Sequence, residues 1–407
     1  MAKILLITQF FPPESNAGAR RLEAMASVLS KKHDVCVVTP YPGYPASVLY
    51  RHHDVNEMDG QFFGQVVRSI PFQPHHPNLF VRGIRETGMA LRLTQKGAFR
   101  QADIIIVSTP SMFLVPFSWI LARLKGAIFI CDLRDLTWRY IRETAKLSKI
   151  NTKVSIILEK FMLFFLRSCE LVISATPGIT DILINDYKIQ KDKIITIMNG
   201  VSREILDLGK KPTNYSSMKL PTVTYIGLFG HNHGIDIMLD VAKRMPSVKF
   251  LMIGDGPAKI NIMERISHEI IGNLTVVEYI SSAKELSKYY YQSTILFSHI
   301  KNTPVMNSTA IPAKIFEYMA FRKPIIYAGE GIAIDFLKKI GCALTIPPGN
   351  VEEITASIST LLDNPNMMEQ MGEKGRAFVE DKYQREVLMY QLVTALEMQF
   401  DIIAENI

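Results

Sequence analysis

The chain runs to 407 residues, 48% of them hydrophobic and 21% charged. That composition excludes a disordered chain, and the length exceeds what one core usually organises, so two domains of about 200 residues each are expected. The formal net charge of +7 suits anionic small molecules, phosphorylated lipids or an anionic membrane face, and is too diffuse to argue for nucleic acid. Cys36, Cys131, Cys169 and Cys342 lie far apart with no CxxC and no nearby histidine to complete a metal set, which reads as buried free thiols in a reducing cytosol.

The opening MAKILLITQFFPP has no small-residue cleavage site and reads as a first strand over 3–10, not a signal peptide. It runs into FPPESNAGARR, where Gly18 stands at the mouth of a helix expected from Ala19 to Lys31. A glycine there lets backbone approach a ligand, and a helix N-terminus favours phosphate. Strands come next at 33–40 and 64–70, separated by the loop YPGYPASVLYRHH (41–53), long enough to suggest contact with an acceptor. Between 78 and 101, Arg82, Arg85, Arg92, Lys96 and Arg100 fall within an arc of about 80° if the segment is one helix. Such a stripe suits an anionic membrane surface or a lipid phosphate, or is simply a solvated face. Residues 104–122 carry no charge and are long enough to span a bilayer, but Pro110 divides them, so strand plus helix is preferred.

AIFICDLRD (127–135) is a strand that ends in Asp132, Arg134 and Asp135, with Trp138 close by. In an open parallel sheet the carboxyl ends of strands line the ligand crevice, which places this charged cluster where chemistry happens. A helix over 151–168, the strand ELVISAT, another helix and KIITIMNGV complete a doubly wound α/β half. Residues 202–220 are polar and proline-bearing, as a linker would be, and then the pattern restarts. TVTYIG enters GLFGHNHG, where Gly227, Gly230 and Gly234 bracket His231 and His233; VKFLMIG enters DGPAK; STILFSHI leads through a loop to IPAKIFEYMAFRKPII (311–326).

That last stretch organises the rest. Pro312 suits a helix's first turn and Pro324 closes the helix. Lys314, Glu317, Tyr318 and Phe321 share one arc, opposite the core arc of Ile315, Phe316, Met319 and Ala320, so the first arc must face a cleft, another element or water. PIIYAGEG and CALTIPPG are the last strands, and 350–405 reads as helical, its end long enough to reach back to the first half.

FFPPESNAGARR, DLRDLTW, MNGV, GLFGHNHG, GDGP, IPAKIFEYMAFRKPII, AGEG and IPPGN, in this order and spacing, resemble retaining glycosyltransferases of the GT-B fold, most closely family 4 from bacterial surface-polysaccharide clusters such as those for O-antigen or capsule. The resemblance implies two Rossmann-like α/β domains facing a cleft: an acceptor domain over 1–201, a linker over 202–220, a nucleotide-sugar domain over 221–384, and a helix over 385–407 crossing back. It implies that Glu317 binds the donor ribose diol and that the loop with Gly227, Gly230 and His233 approaches the diphosphate. Gly18 and Arg20 would close over phosphate or sugar, and Asp255 would line the nucleotide pocket unless it merely caps its turn. Thr309 stands where many members place a sugar-holding glutamate, and Leu228 and His233 stand where many have Arg and Lys. Lys314 is the replacement cation, with Arg134 and Arg20 contributed by the first half.

The resemblance further implies metal-independent transfer, with retention, of a hexose-type unit, deoxy or N-acetylamino in this subgroup, from a UDP- or GDP-sugar to a glycan or polyprenyl-linked acceptor. The nucleotide-sugar is a substrate, and no cofactor is implied. Asp135 and Asp132 are the candidate acceptor orienters, with Arg134 and Lys314 stabilising charge. The location implied is cytoplasmic, and peripheral on the inner membrane face if the basic stripe meets lipid. A nucleotide-sugar epimerase on the same fold and a non-catalytic nucleotide-sugar binder are the rival readings.

Overall fold

In the computed structural model, described for residues 1–43, 52–72, 79–144, 149–212, 215 and 220–400, the chain divides into two units, Met1–Asn199 with Arg385–Ile407, and Gly200–Gln384. The central part of the 41–53 loop, most of 213–219 and the residues after 400 lie outside the described residues, so the acceptor role expected of that loop has no structural counterpart here.

The first unit alternates strand and helix: β1 (Lys3–Thr8), α1 (Ala17–Leu29), β2 (Asp34–Pro40), α2 (His52–Gln61), β3 (Gln65–Ser69), α3 (Leu79–Ala98), β4 (Ile104–Ser108), α4 (Leu114–Lys125), β5 (Ile128–Leu133), α5 (Thr137–Thr144), α6 (Lys149–Arg167), β6 (Leu171–Ser174), α7 (Pro177–Asn185) and β7 (Ile194–Thr196). Its seven parallel strands are ordered β3-β2-β1-β4-β5-β6-β7. The apolar runs form strands buried on both faces, as expected of a parallel sheet: Ile4 to Ile7 and Ile104 to Val107 have almost no exposure. The uncharged stretch 104–122 is split between β4 and α4, and among the described residues no helix is long and apolar enough to cross a membrane.

The second unit contains α8 (Arg203–Leu208), β8 (Thr222–Ile226), α9 (Ile237–Arg244), β9 (Lys249–Ile253), α10 (Lys259–His268), β10 (Leu274–Val277), α11 (Ala283–Gln292), β11 (Ile295–His299), α12 (Pro304–Thr309), α13 (Lys314–Ala320), β12 (Ile325–Ala328), α14 (Ile332–Ile340), β13 (Ala343–Ile346), α15 (Val351–Leu362) and α16 (Pro365–Lys382). Its six parallel strands are ordered β10-β9-β8-β11-β12-β13. The last helix, α17 (Arg385–Phe400), belongs to the first unit and packs on α1, where Lys31 Nζ donates to Tyr390 Oη at 2.9 Å and Lys32 pairs with Glu397 at 2.8 Å.

In both sheets the strand order reverses once, between β1 and β4 and between β8 and β11, and ligands of such sheets bind outside the strand carboxyl ends at that reversal. The four cysteines are free and buried.

Candidate functional site

In the second unit, β8 delivers Gly227 to the reversal point with φ +143°, and a Cβ there would come within 2.7 Å of Lys314 Nζ. Glycine is required for both reasons: the backbone conformation is closed to L side chains, and the ammonium occupies the space. Lys314 Nζ donates to Tyr225 Oη at 2.6 Å and lies 3.8 Å from the centre of that ring; the phenol in turn donates to the Leu228 carbonyl at 2.7 Å. Tyr225, fully buried on β8, is therefore the strut that aims the lysine at the glycine loop. Burial pushes the Lys314 pKa down to about 7, a shift opposed by the nearby Glu317 carboxylate. A half-charged lysine on a backbone loop is suited to an incoming anion, which would restore its proton.

Glu317 comes one turn later on α13 and accepts from Tyr290 Oη at 2.9 Å. Tyr290 is held by stacking on Phe321, with ring centres 4.3 Å apart and planes 12° from parallel. The end of α11 that carries Tyr290 is capped by Lys323, which donates to the Ser293 carbonyl at 2.6 Å and whose pKa is pushed to about 7 by burial. The polar arc of α13 thus faces another element: Tyr318 and Phe321 are fully buried, and Tyr318 Oη accepts from the Ile226 amide at 3.0 Å. Lys314 and Glu317 remain partly open on that arc.

The remaining expected donor residues fare differently. Desolvation, helped by Lys314, lowers the His233 pKa to about 3, so its imidazole is neutral at pH 7 and the cation beside this loop is Lys314. His299, at the end of β11, donates from Nδ1 to the His233 carbonyl at 2.6 Å and accepts at Nε2 from the Gly349 amide at 3.3 Å, which fixes one neutral tautomer and ties the glycine loop to the 347–350 loop. Gly230 lies in this loop, 3.2 Å from the His233 ring by its Cβ position. Asp255 accepts from its neighbour's amide, Gly256, at 2.8 Å, the turn cap that competed with a ligand role. Thr309 is buried and its hydroxyl donates to the Val305 carbonyl at 2.5 Å, so it is committed to α12 instead of a sugar. The loop after Gly234 also runs on to Ile237 before α9 begins.

In the first unit the expectation for Asp132 is corrected. Asp132 and Arg21 are both completely buried, joined through Arg21 Nη2 at 2.8 Å and Nε at 3.1 Å, with Ser108 Oγ donating to the other carboxylate oxygen at 2.8 Å and Arg21 Nη1 donating to the Ile197 carbonyl at 2.7 Å. An acceptor has no access to that carboxylate; it locks α1 to the sheet. Removing one partner of such a pair strands the other charge, so Asp132→Ala should lose about 3–5 kcal/mol in urea unfolding. Exposed Asp135 should lose little by the same substitution. Full stability in Asp132→Ala together with abolished turnover would return Asp132 to the chemistry.

Helix α1 starts at Ala17, two residues earlier than the sequence suggests, because Asn16 caps it by accepting from the Ala19 amide at 2.9 Å. Gly18 is then in the first turn, where a Cβ would lie 2.4 Å from Arg134 Nη1. Arg134 is anchored by its amide to Thr109 Oγ1 at 2.8 Å. A guanidinium lies against the first turn of α1, and the buried Ser15 Oγ and Asn16 Nδ2, just before that turn in the chain, have no hydrogen-bond partner; a helix start with a cation against it has the chemistry of an anion or hydroxyl site at the β1/β4 reversal. Arg20 is half-buried on the same helix. On α3, Arg85, Arg92 and Lys96 are exposed, Arg82 pairs with Glu86 at 2.8 Å, and Arg100 lies beyond the helix end, donating to Gln65 at 3.1 Å. Two adjoining grooves of about 640 and 510 Å³ run between α3 and the edge strand β3, lined by Arg85, Arg92, Lys96 and Arg100.

Two parallel-sheet α/β units with strand-end sites at each reversal are the GT-B arrangement. Residues 18–205 match the family model described as Glycosyltransferase Family 4, and residues 210–378 match Glycosyl transferases group 1. The two halves of the chain are thus each similar to a glycosyltransferase family, the first to family 4 and the second to group 1. It is 22% identical over 167 residues to the alpha-D-kanosaminyltransferase of Streptomyces kanamyceticus, covering 40% of this chain and 42% of the relative, so the match spans less than half the relative's length. Among solved structures, the sucrose-phosphate synthase of Thermosynechococcus elongatus superposes with a TM-score of 0.73 at 16% identity over 99% of this chain and 100% of that one. Anabaena HepE in complex with UDP-glucose gives 0.70 at 16% identity, over 98% and 100%.

Proposed function

We propose that the protein is a retaining glycosyltransferase that moves a sugar from a nucleoside diphosphate, with UDP the favoured carrier, to a hydroxyl of a glycan or polyprenyl-linked acceptor in bacterial surface-polysaccharide synthesis. The observation that carries this reading is the Tyr225–Lys314–Gly227 cluster with Glu317 one turn away, at the strand reversal of the second unit. A lysine against a glycine-bounded loop suits a diphosphate, and a carboxylate fixed by Tyr290 suits a ribose diol. The UDP-glucose bound by Anabaena HepE supports UDP as the nucleotide.

The acceptor is assigned to the first unit, where the Arg134 guanidinium meets Gly18 in the first turn of α1, shortly after Ser15 and Asn16 in the chain, and exposed Asp135 follows Arg134. The α3 cations and Arg100 are assigned to a lipid-linked acceptor's phosphate or to the membrane surface. In this reading no protein group forms a bond to the sugar: the leaving phosphate accepts the acceptor's proton while Lys314 balances its growing charge. Metal independence belongs to the same reading, in which a lysine takes the place of a metal cation.

The deciding experiment is a mass-spectrometric screen of activated sugars against polyprenyl-diphosphate-linked acceptors. Release of nucleotide and a glycosylated product only when both partners are present is the expected result. Donor conversion without acceptor would favour an epimerase, and donor binding without conversion a binder.

A further inference from the structure

Helix α6 buries Ser155, Met162, Phe165 and Leu166 against the unit and turns Ile157, Phe161 and Phe164 outward, with Ile157 65% exposed. At about 100° per residue these three share an arc of about 60°. Alongside, α4 packs on α6 and exposes Ile120 and Leu124, the latter 81% open. Trp119 joins the two helices, its ring edge-on to Phe164 at 5.6 Å and covered by the Arg123 guanidinium at 5.6 Å.

These residues form a contiguous apolar face, and soluble monomers rarely expose one without a use for it. Its charges decide the use. Lys153, Lys160 and Arg167 are exposed along the flank of the same α6 arc. Glu159, the one acid of α6, is turned to Tyr187 at 2.6 Å and Arg142 at 2.6 Å; α4 has no acid, and Arg123 is paired with Glu170 at 3.0 Å. Helix α3, packed against α4, adds exposed Arg85, Leu91 and Arg92.

We propose that the outer face of α4 and α6 is a docking surface for an anionic lipid bilayer, with Ile157, Phe161, Phe164 and Leu124 entering the headgroup–acyl boundary and Lys153, Lys160 and Arg167 resting on lipid phosphates. An apolar stripe rimmed by cations lies in the interface plane and does not span it, and an aromatic pair with a tryptophan favours that depth. A second copy of the chain would bring one cationic rim against another, which the charges oppose. The surface is separate from the donor-binding cluster of the second unit, so its test is independent of the transfer reading.

The test is co-sedimentation of the full chain with vesicles of phosphatidylcholine alone and of phosphatidylcholine mixed with phosphatidylglycerol. Wild type should bind the mixed vesicles, and more weakly as salt rises. Lys153→Glu with Lys160→Glu should weaken that binding about twenty-five-fold or more, from about a factor of five for each cation lost. Phe161→Ser with Phe164→Ser should also release the protein, with UDP binding unchanged in both pairs. Equal sedimentation of wild type and both variant pairs would overturn the proposal, and so would no affinity of wild type for either vesicle. A wild-type dimer in solution that Phe161→Ser with Phe164→Ser dissociates would overturn it in favour of a second copy.

Discussion

Replacing Lys314 with methionine should lower kcat/KM about one-hundred- to one-thousandfold, the loss expected when one preorganised charge partner of a leaving group is removed. The pH dependence makes this expectation specific. Free lysine titrates near 10.5, whereas Lys314 in the folded protein titrates near 7, so between those values the unfolded chain holds a proton that the folded chain has released. Stability contributed through Lys314 therefore rises with pH across that window. Donor affinity has the opposite sign: a bound diphosphate requires the protonated lysine, and above pH 7 each unit of pH should raise the donor Kd about tenfold until the pKa of the bound state is reached. Calorimetric titration of wild type from pH 7 upward should show that slope. Lys314→Met should bind weakly with no slope, and should unfold in urea at a concentration no lower than wild type. A wild-type donor Kd that is flat with pH would remove Lys314 from the diphosphate.

Glu317→Gln should raise the donor KM by one to two powers of ten, because an ionised acceptor contributes about 1.5–3 kcal/mol to a hydrogen bond with each hydroxyl it meets, and the amide offers a single neutral oxygen. The substitution leaves an acceptor for Tyr290, so the local structure should persist. Tyr290→Phe should give a smaller increase in KM through loss of the carboxylate's orientation, since the ring stays stacked on Phe321. Unchanged donor binding by Glu317→Gln, measured by calorimetry, would refute the ribose assignment.

The parts of this architecture that local spacing controls are legible in the sequence alone. Apolar runs separated by amphipathic segments specify strands buried between helices, and the period of α13 separates Lys314 and Glu317 from its core residues. Pairing across long sequence distance is what hides the rest. Asp132 ends a strand with Arg134 and Asp135, and nothing within that segment distinguishes a catalytic carboxylate from one locked to Arg21, 111 residues earlier. Tyr225, Tyr290 and His299 sit in runs whose apolar neighbours read as core, and their hydroxyls and ring nitrogens acquire partners only when the sheet brings them together. A signal was present for two of them. Tyr225 and His299 each stand within two residues of the carboxyl end of a strand that flanks the reversal, where a polar group has reason to be.

Thr309 illustrates the converse. Its position invites comparison with a sugar-holding glutamate, but a threonine in a short helix reaches its own backbone, and its hydroxyl closes on Val305. His233 was legible as a loop residue and not as a neutral one, because the desolvation that lowers its pKa depends on packing and on Lys314. The basic residues after Arg82 keep helical spacing up to Lys96; α3 ends at Ala98, and Arg100 leaves the arc.

Hydrogen–deuterium exchange of the full chain with and without saturating UDP tests the central claim most directly. Slowed exchange is expected in the backbone of 227–236 and in 314–318, the loop beside Lys314 and the helix that carries Glu317. UDP binding that leaves exchange in both segments unchanged would contradict the donor site described for the second unit.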